Sequence, residues 1–273
     1  EIAQCLVGSE MCIRDRYSSY LMDCHLRLNT ISTYMRMLRC IYNRGVDMHQ
    51  TPYVHRMFRD VFTGIDTRQK KAIPINELHT LLNEDPQSDK LRRTQAIANL
   101  LFLFCGMPFV DLAYLEKSNL EGNMLKYNRA KTGIPMNVEI LDSAATIISQ
   151  LRNKHTTVLP EHPDYLFYIL SGKNKRSDEA GYKEYQSALR CFNNDLKSLA
   201  RKLCIRSSVT SYTFRHSWAT TAKYRGVPIE MISESLGHKS IKTTQIYLKG
   251  FELSERTKVN RLNYSYVMNF KTI

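Results

Sequence analysis

Residues 211–249, SYTFRHSWATTAKYRGVPIEMISESLGHKSIKTTQIYLK, carry the strongest fold signal in this chain. Thr213 is placed to cap a helix over residues 214–225, because a threonine hydroxyl can accept an N–H of the first helical turn. A second, shorter helix is expected to begin at Ile229 and to end at Gly237, a residue type common at helix C-termini. The stretch therefore predicts two helices in close succession.

Three polar residues, Arg215, His238 and Tyr247, fall at the starts and ends of these predicted elements, where side chains converge. A tyrosine can attack a phosphodiester if its phenol loses its proton during the attack and nearby donors neutralise the charge growing on the phosphate oxygens. Arg215 offers a planar bidentate fork, and His238 offers a donor that is neutral or charged. The three residues together predict a site that cuts a DNA strand.

The order and spacing of these residues resemble the C-terminal signature of the tyrosine recombinases, the phage integrase family. The signature consists of Arg215, the Leu-Gly-His triplet ending at His238, and Tyr247 nine residues later. The resemblance extends from about residue 31 to residue 247. It implies that Tyr247 is the nucleophile, that Arg215 is the second catalytic arginine, and that His238 is the histidine preceding the nucleophile.

The family usually has a histidine three positions before that arginine, where this chain has Tyr212. Tyrosine can still donate a hydrogen bond to a phosphate, but it cannot take up a proton at neutral pH as histidine can. Tyr212 is therefore a candidate catalytic residue, with a buried packing role as the alternative. For Arg215 and Tyr247 the alternatives are an ordinary ion-pairing arginine and one of sixteen tyrosines filling a helix face.

The family's first arginine normally lies in a segment with glycine, an apolar residue, the arginine and then an acidic residue three positions on. Aligned on Gly106, Met107 and Asp111, the arginine position is occupied by Pro108. The segment is similar to that of some integrases of conjugative transposons. Pro108 itself cannot stabilise the transition state, because proline has neither a charged side chain nor a backbone donor.

Two alternating stretches, residues 123–127 and 134–140, predict a β-hairpin with Ala-Lys-Thr-Gly between them. In the family a lysine on this hairpin protonates the departing 5′ oxygen, and Lys131 matches that position. The alternative is a solvent-facing lysine in a turn. Arg129 is a candidate DNA-binding residue and a candidate surrogate for the missing arginine cation.

The formal net charge of +13 over 273 residues implies a polyanionic partner, and double-stranded DNA is the simplest choice. The longest apolar run, around residues 97–109, is too short to cross a bilayer, so no membrane segment is expected. Seven cysteines without a Cys-x-x-Cys motif favour reduced thiols in a cytoplasmic compartment and predict no metal site. The resemblance implies a bacterial protein at the nucleoid. The resemblance implies a covalent 3′-phosphotyrosine link between enzyme and cut strand. This link conserves the energy of the broken phosphodiester bond, so no cofactor is expected.

The N-terminal part is predicted to be incomplete. Residues 1–16 resemble translated sequencing-adapter DNA, so they are expected to be an artefact, with the native chain starting near Tyr17. Residues 17–62 resemble a truncated, helical core-binding domain. Its main helix is expected to end at Gly45. The expected apolar face carries Tyr34, Leu38, Ile41 and Tyr42, and the DNA-binding candidates on its other faces are Arg36, Arg39 and Arg44. A solvated basic surface is the alternative.

Residues 63–73 are polar, basic and contain Gly64, which predicts a linker before a catalytic domain at 74–273. The expected fold is mainly α with a small antiparallel β-sheet: a helical core-binding domain followed by a mixed α/β catalytic domain. The resemblance implies site-specific strand exchange through a covalent 3′-phosphotyrosine, by a homo-tetramer on DNA with accessory DNA-bending proteins. The alternative function is a DNA-binding protein with a degraded active site, which Pro108 and Tyr212 favour.

Overall fold

The protein is described from a computed structural model. The residues that the structure describes are 13–64, 72–152, 164–174, 176–248 and 253–268. The chain divides into two compact units, Glu1–Gln69 and Lys70–Ile273. Most of the predicted linker, residues 65–71, lies outside the described residues, as do residues 1–12 of the predicted artefact.

Over residues 13–64, the described part of the N-terminal unit contains two α-helices, α1 (Ile13–Asp23) and α2 (Leu28–Asp47). Residues 13–16, which were expected to belong to the artefact, form the first turn of α1. The predicted end of α2 at Gly45 is wrong by two residues. The helix continues to Asp47, and Gly45 is buried in its last turn. The three arginine candidates, Arg36, Arg39 and Arg44, are all exposed along α2.

The apolar face predicted for α2 is partly wrong. Tyr34 and Ile41 are 42% and 51% exposed, whereas Ile31 and Met35 are buried against Leu21 of α1. The predicted residues Leu38 and Tyr42 do pack inside the unit. The buried stripe is therefore rotated around the helix, because packing partners decide which of several apolar residues lie inside.

The C-terminal unit contains nine α-helices, a short 3-10 helix (Lys117–Asn119) and one sheet in its described part. The helices are α3 (Ile75–Asn83), α4 (Asp89–Leu103), α5 (Phe109–Ala113), α6 (Asp142–Leu151), α7 (Glu179–Lys202), α8 (Thr213–Tyr224), α9 (Ile229–Ser235), α10 (Ile241–Tyr247) and α11 (Leu253–Met268). The strands are β1 (Leu120–Glu121), β2 (Met124–Asn128) and β3 (Pro135–Glu139), antiparallel in that order. The predicted fold class, mainly α with a small antiparallel sheet, is confirmed.

The core of this unit lies around α4, which packs against α6, α7 and α8. Leu100 and Leu101 of α4 are fully buried, as are Leu196 of α7 and Phe214 of α8. Phe214 is the residue before Arg215, so its burial in the core holds the start of α8 in place. The hairpin adds a second layer, because Leu125 of β2 pairs with Val138 of β3 and both are buried.

The helix pair predicted from the opening stretch is present, with one correction at its start. The Thr213 hydroxyl does not cap α8, because its Oγ1 accepts the backbone N–H of Thr210 at 2.9 Å. Tyr212 occupies the N-cap position instead. The predicted role of Gly237 in ending α9 is confirmed, and the last helical residue is Ser235. Gly237 has a φ of +62°, and it and His238 donate backbone hydrogen bonds to the last turn of α9 at 2.8 and 3.0 Å, a Schellman motif.

None of the helices in the described ranges combines the length and the apolar character needed to cross a membrane.

Candidate active site

Arg215 is the central residue of the candidate site. It lies in the first turn of α8 and is only 1% exposed. Its Nη1 donates to the Gly106 carbonyl at 3.0 Å, and its Nη2 donates to the Leu236 carbonyl and to Nε2 of His238, the latter at 3.0 Å. One guanidinium therefore joins the segment after α4, the end of α9 and the loop before α10.

The Gly-Met-Pro segment packs directly against Arg215. Gly106 has a φ of +68°, and a Cβ at this position would lie 2.9 Å from the Arg215 Cα. A side chain is therefore excluded by both conformation and space. Pro108 is buried at the N-cap of α5, where its fixed φ of −68° starts the helix that carries Asp111.

Asp111 connects this segment to the hairpin. Its side chain is almost fully buried and accepts the backbone N–H of Ala130 at 2.9 Å and Nη1 of Arg129 at 3.3 Å. Burial raises the pKa of the Asp111 carboxyl, and the Ala130 N–H and the positive charge of Arg129 oppose that rise. Asp111, the acidic residue of the family pattern, therefore binds Arg129 of the hairpin.

Arg129 itself is 4% exposed and lies beside the Leu-Gly-His triplet. Its Cδ would be 2.6 Å from a Cβ on Gly237, so the glycine makes room for the arginine. In the part of the chain that the structure describes, the Arg129 Nε has no hydrogen-bond partner. Thr132, from the same hairpin turn, donates to the Gly237 carbonyl at 3.2 Å. The hairpin is therefore attached to the loop that carries His238.

The protonation of His238 follows from its neighbours. Arg215 can only donate, so His238 Nε2 is the acceptor and the neutral ring carries its proton on Nδ1. Nδ1 then donates to Oγ1 of Thr244 at 2.8 Å. Burial, followed by the positive charges of Arg215, Arg129 and Lys131, lowers the pKa of His238 from 6.5 to about 4. His238 is therefore a neutral imidazole at physiological pH.

The remaining sequence candidates are Lys131, Tyr212 and Tyr247. Lys131 is exposed in the turn between β2 and β3, and its charge reaches His238. Tyr212 is 38% exposed and its ring makes an edge contact with the ring of His216, with centroids 5.5 Å apart. Tyr247 is the last residue of α10, and its side chain lies outside the described part of the structure.

Sequence reasoning missed Thr244, which is fully buried and bonded to His238. A signal was available, because Thr244 lies three residues before Tyr247 and so shares a helical turn with it. The role of Gly106 as the residue that Arg215 packs against was missed as well. That contact joins residues 109 positions apart, which no local pattern reports.

The lowered pKa of His238 has a measurable consequence for stability. Between about pH 6.5 and about pH 4 the unfolded chain binds a proton at His238 and the folded chain does not, so stability falls as the pH falls through this window. We expect the free energy of unfolding to decrease between about pH 7 and about pH 5 by less in His238→Gln than in the unaltered chain. Urea unfolding at both pH values measures this difference. Equal decreases in the free energy of unfolding of the two proteins would contradict the lowered pKa of His238.

The chain matches known proteins over most of its length. The phage integrase family model matches residues 71–252. The chain is 30% identical over 195 residues to "Tyrosine recombinase XerA" of Pyrococcus furiosus, which covers 71% of this chain and 62% of that protein. It is 24% identical over 226 residues to "Tyrosine recombinase XerD" of Listeria monocytogenes, covering 80% of this chain and 70% of that protein. The chain thus spans less than two thirds of the XerA relative.

Solved structures share the fold. The Tn1549 transposon integrase in complex with circular intermediate DNA superposes with a TM-score of 0.60 at 14% identity, covering 92% of this chain and 85% of that one. A lambda integrase dimer bound to a COC′ core site gives a TM-score of 0.62 at 11% identity, covering 88% and 82%. With the family model matching well over half of its residues, this chain belongs to the phage integrase family of tyrosine recombinases.

Proposed function

We propose that the chain is a site-specific DNA recombinase that cuts and rejoins DNA through a covalent 3′-phosphotyrosine at Tyr247. The observation that carries this proposal is the buried contact between Arg215 and His238, next to the short helix that ends in Tyr247. Burying a guanidinium costs free energy unless its N–H groups are hydrogen-bonded, as those of Arg215 are here. The Arg215 guanidinium bonds to Gly106, Leu236 and His238, which belong to the segments that carry the family pattern.

In this proposal the charge of the transition state is neutralised by groups already in place. Arg215 binds the phosphoryl oxygens while Tyr247 attacks and loses its phenol proton, His238 joins it when its Nε2 carries a proton, and Lys131 gives a proton to the departing 5′ oxygen. In the structure the neutral ring donates its single N–H to Thr244 and accepts from Arg215 at Nε2, so it orients the Arg215 guanidinium. It can donate to a phosphoryl oxygen only after Nε2 has taken up a proton, and the attacking phenol is a proposed source of that proton. Tyr212, at the N-cap of α8, is proposed to donate a hydrogen bond to the phosphate in place of the usual histidine.

Arg129 is the proposed replacement for the arginine missing at Pro108. Its guanidinium is buried, bonded to Asp111, and close enough for its charge to lower the pKa of His238. The second cation of the site would then come from the hairpin, whereas in the usual pattern it comes from the segment after α4. Pro108, in turn, keeps the role of starting α5.

The proposed partner is double-stranded DNA, bound by a homo-tetramer with accessory DNA-bending proteins. The exposed arginines of α2, Arg36, Arg39 and Arg44, are proposed to contact the phosphate backbone. The excess of 39 Lys and Arg over 26 Asp and Glu supports a polyanionic partner. No cofactor or metal is included, and a place at the bacterial nucleoid stays a prediction.

A nicked suicide duplex tests the proposal. Duplexes taken from the DNA flanking this gene are nicked beside the candidate scissile phosphate, so that a released fragment diffuses away and the covalent adduct accumulates. A protein–DNA adduct that survives denaturing electrophoresis is the expected result. Tight binding without an adduct would instead support the alternative, a DNA-binding protein with a degraded site, which Pro108 at the arginine position favours.

Binding is expected to weaken steeply with salt. Each lysine or arginine contact to a duplex phosphate releases counterions, so the logarithm of the binding constant falls with the logarithm of the salt concentration by about 0.9 per contact. The combined variant Arg36→Ala, Arg39→Ala and Arg44→Ala should lower this slope by about 0.9 for each phosphate that is no longer neutralised. Fluorescence anisotropy at several salt concentrations measures both slopes. A flat response of the unaltered chain would be incompatible with DNA binding.

A further inference from the structure

The proposed chemistry leaves one buried hydroxyl of the site without a role. Thr244 lies in α10, one helical turn before Tyr247, and its side chain is 0% exposed. Its Oγ1 accepts the Nδ1–H of His238 at 2.8 Å. Thr244 is a short, fully buried side chain whose hydroxyl is already bonded to His238, so it acts through its neighbours. The hydrogen bond joins the helix that ends in Tyr247 to the histidine of the site.

Thr244 is also part of the backbone turn that contains Tyr247. Its carbonyl accepts the backbone N–H of Leu248, the residue after Tyr247, at 3.0 Å. The Leu248 side chain packs against an apolar cluster of α8 and α9. The members of that cluster are Ala219, Ile232 and Leu236. The turn is therefore held at both ends, by the threonine hydroxyl on one side and by leucine packing on the other.

The His238 ring is held from two directions. Arg215 donates to Nε2 and Thr244 accepts from Nδ1, so the ring cannot turn over without losing both hydrogen bonds. The chain of contacts runs from Arg215 through His238 to Thr244 and into the turn of Tyr247. A shift of α10 would therefore displace His238 and, through it, the Arg215 guanidinium that is proposed to bind the phosphate.

We infer that Thr244 is a positioning residue for the nucleophile. Its hydroxyl holds the helical turn of Tyr247 against His238, so that the tyrosine and Arg215 act on the same phosphate. The inference rests on the recombinase chemistry proposed for Tyr247. Misplacing a reacting group by about 1 Å can cost about a hundredfold in rate. The effect falls on the rate of attack and not on DNA affinity, because Thr244 is buried.

Three variants of the full chain isolate the hydroxyl. Thr244→Val removes it and keeps the shape, Thr244→Ser keeps it, and Thr243→Val makes the same change at the exposed neighbouring position. Adduct formation on the nicked duplex is followed in a single turnover, and the Kd for the same duplex is measured in parallel. We expect Thr244→Val to be slower by about tenfold to a hundredfold with an unchanged Kd, because only alignment is lost. Thr244→Ser and Thr243→Val should react like the unaltered chain.

Two results would overturn the inference on these substrates: Thr244→Val reacting at the unaltered rate, or Thr244→Ser reacting as slowly as Thr244→Val. Amide hydrogen exchange over residues 241–248 gives a readout that does not need cleavage. Exchange at the Leu248 amide should rise in Thr244→Val and stay unchanged in Thr243→Val. Unchanged exchange in Thr244→Val would show that the hydrogen bond between Thr244 and His238 does not hold this turn, whether or not the chain cleaves DNA. Raised exchange in a chain that forms no adduct would support that role of the hydrogen bond and reject the recombinase chemistry.

Discussion

Tyr247→Phe is expected to bind duplex DNA as tightly as the unaltered chain and to form no covalent adduct. The substitution removes only the attacking oxygen and keeps the aromatic ring, so α10 retains its packing while the nucleophile is lost. The expected effect is larger than that of Arg215→Ala, because Tyr247 is the proposed nucleophile and the phosphotyrosine cannot form on phenylalanine. Adduct formation on the nicked duplex, measured beside binding, tests it directly.

Tyr264→Phe is the matched control for that variant. Tyr264 lies on α11, is 65% exposed, and belongs to the same C-terminal part of the chain. It should leave adduct formation unchanged. An adduct that survives in Tyr247→Phe would assign the nucleophile to another tyrosine, with Tyr264 and Tyr266 the next to be tested.

Arg215→Ala is expected to slow cleavage by two to three orders of magnitude, since losing one donor to transition-state charge typically costs about 3–4 kcal/mol. The structure adds a second reason for a large effect. Arg215 bonds to the carbonyls of Gly106 and Leu236 as well as to His238, so its loss leaves buried acceptors without this donor. Cleavage should therefore suffer more than from the loss of Lys131 or Arg129.

Thermal unfolding and DNA affinity must be measured with cleavage, because Arg215→Ala removes packing as well as charge. Arg215→Lys keeps the charge without the planar fork and is expected to remain slow. Arg225→Ala is the control, since Arg225 is an exposed arginine at the other end of the same helix. Near-normal cleavage by a folded Arg215→Ala protein would show that the phosphate is bound elsewhere and that the site is wrongly assigned.

Local patterns in the sequence were sufficient for the fold class and for element boundaries to within one or two residues. Gly237 ends α9 because a left-handed residue is needed there, and glycine adopts that conformation at little cost. The alternation around Leu125 and Val138 predicted the hairpin, because side chains of a strand alternate between its faces. These features depend on residues close together in the chain, so one sequence contains the information.

The sequence by itself therefore determined the family, the mainly helical fold with its small sheet, and the residue types at the site. Only the tertiary structure decided their partners: Arg215 with Gly106, Arg129 with Asp111, and Thr244 with His238. It also decided that Ile31 and Met35 of α2 are buried while Tyr34 is exposed. The physical reason is that periodicity shows which residues could share a face, whereas contacts between distant segments depend on how all the helices pack at once.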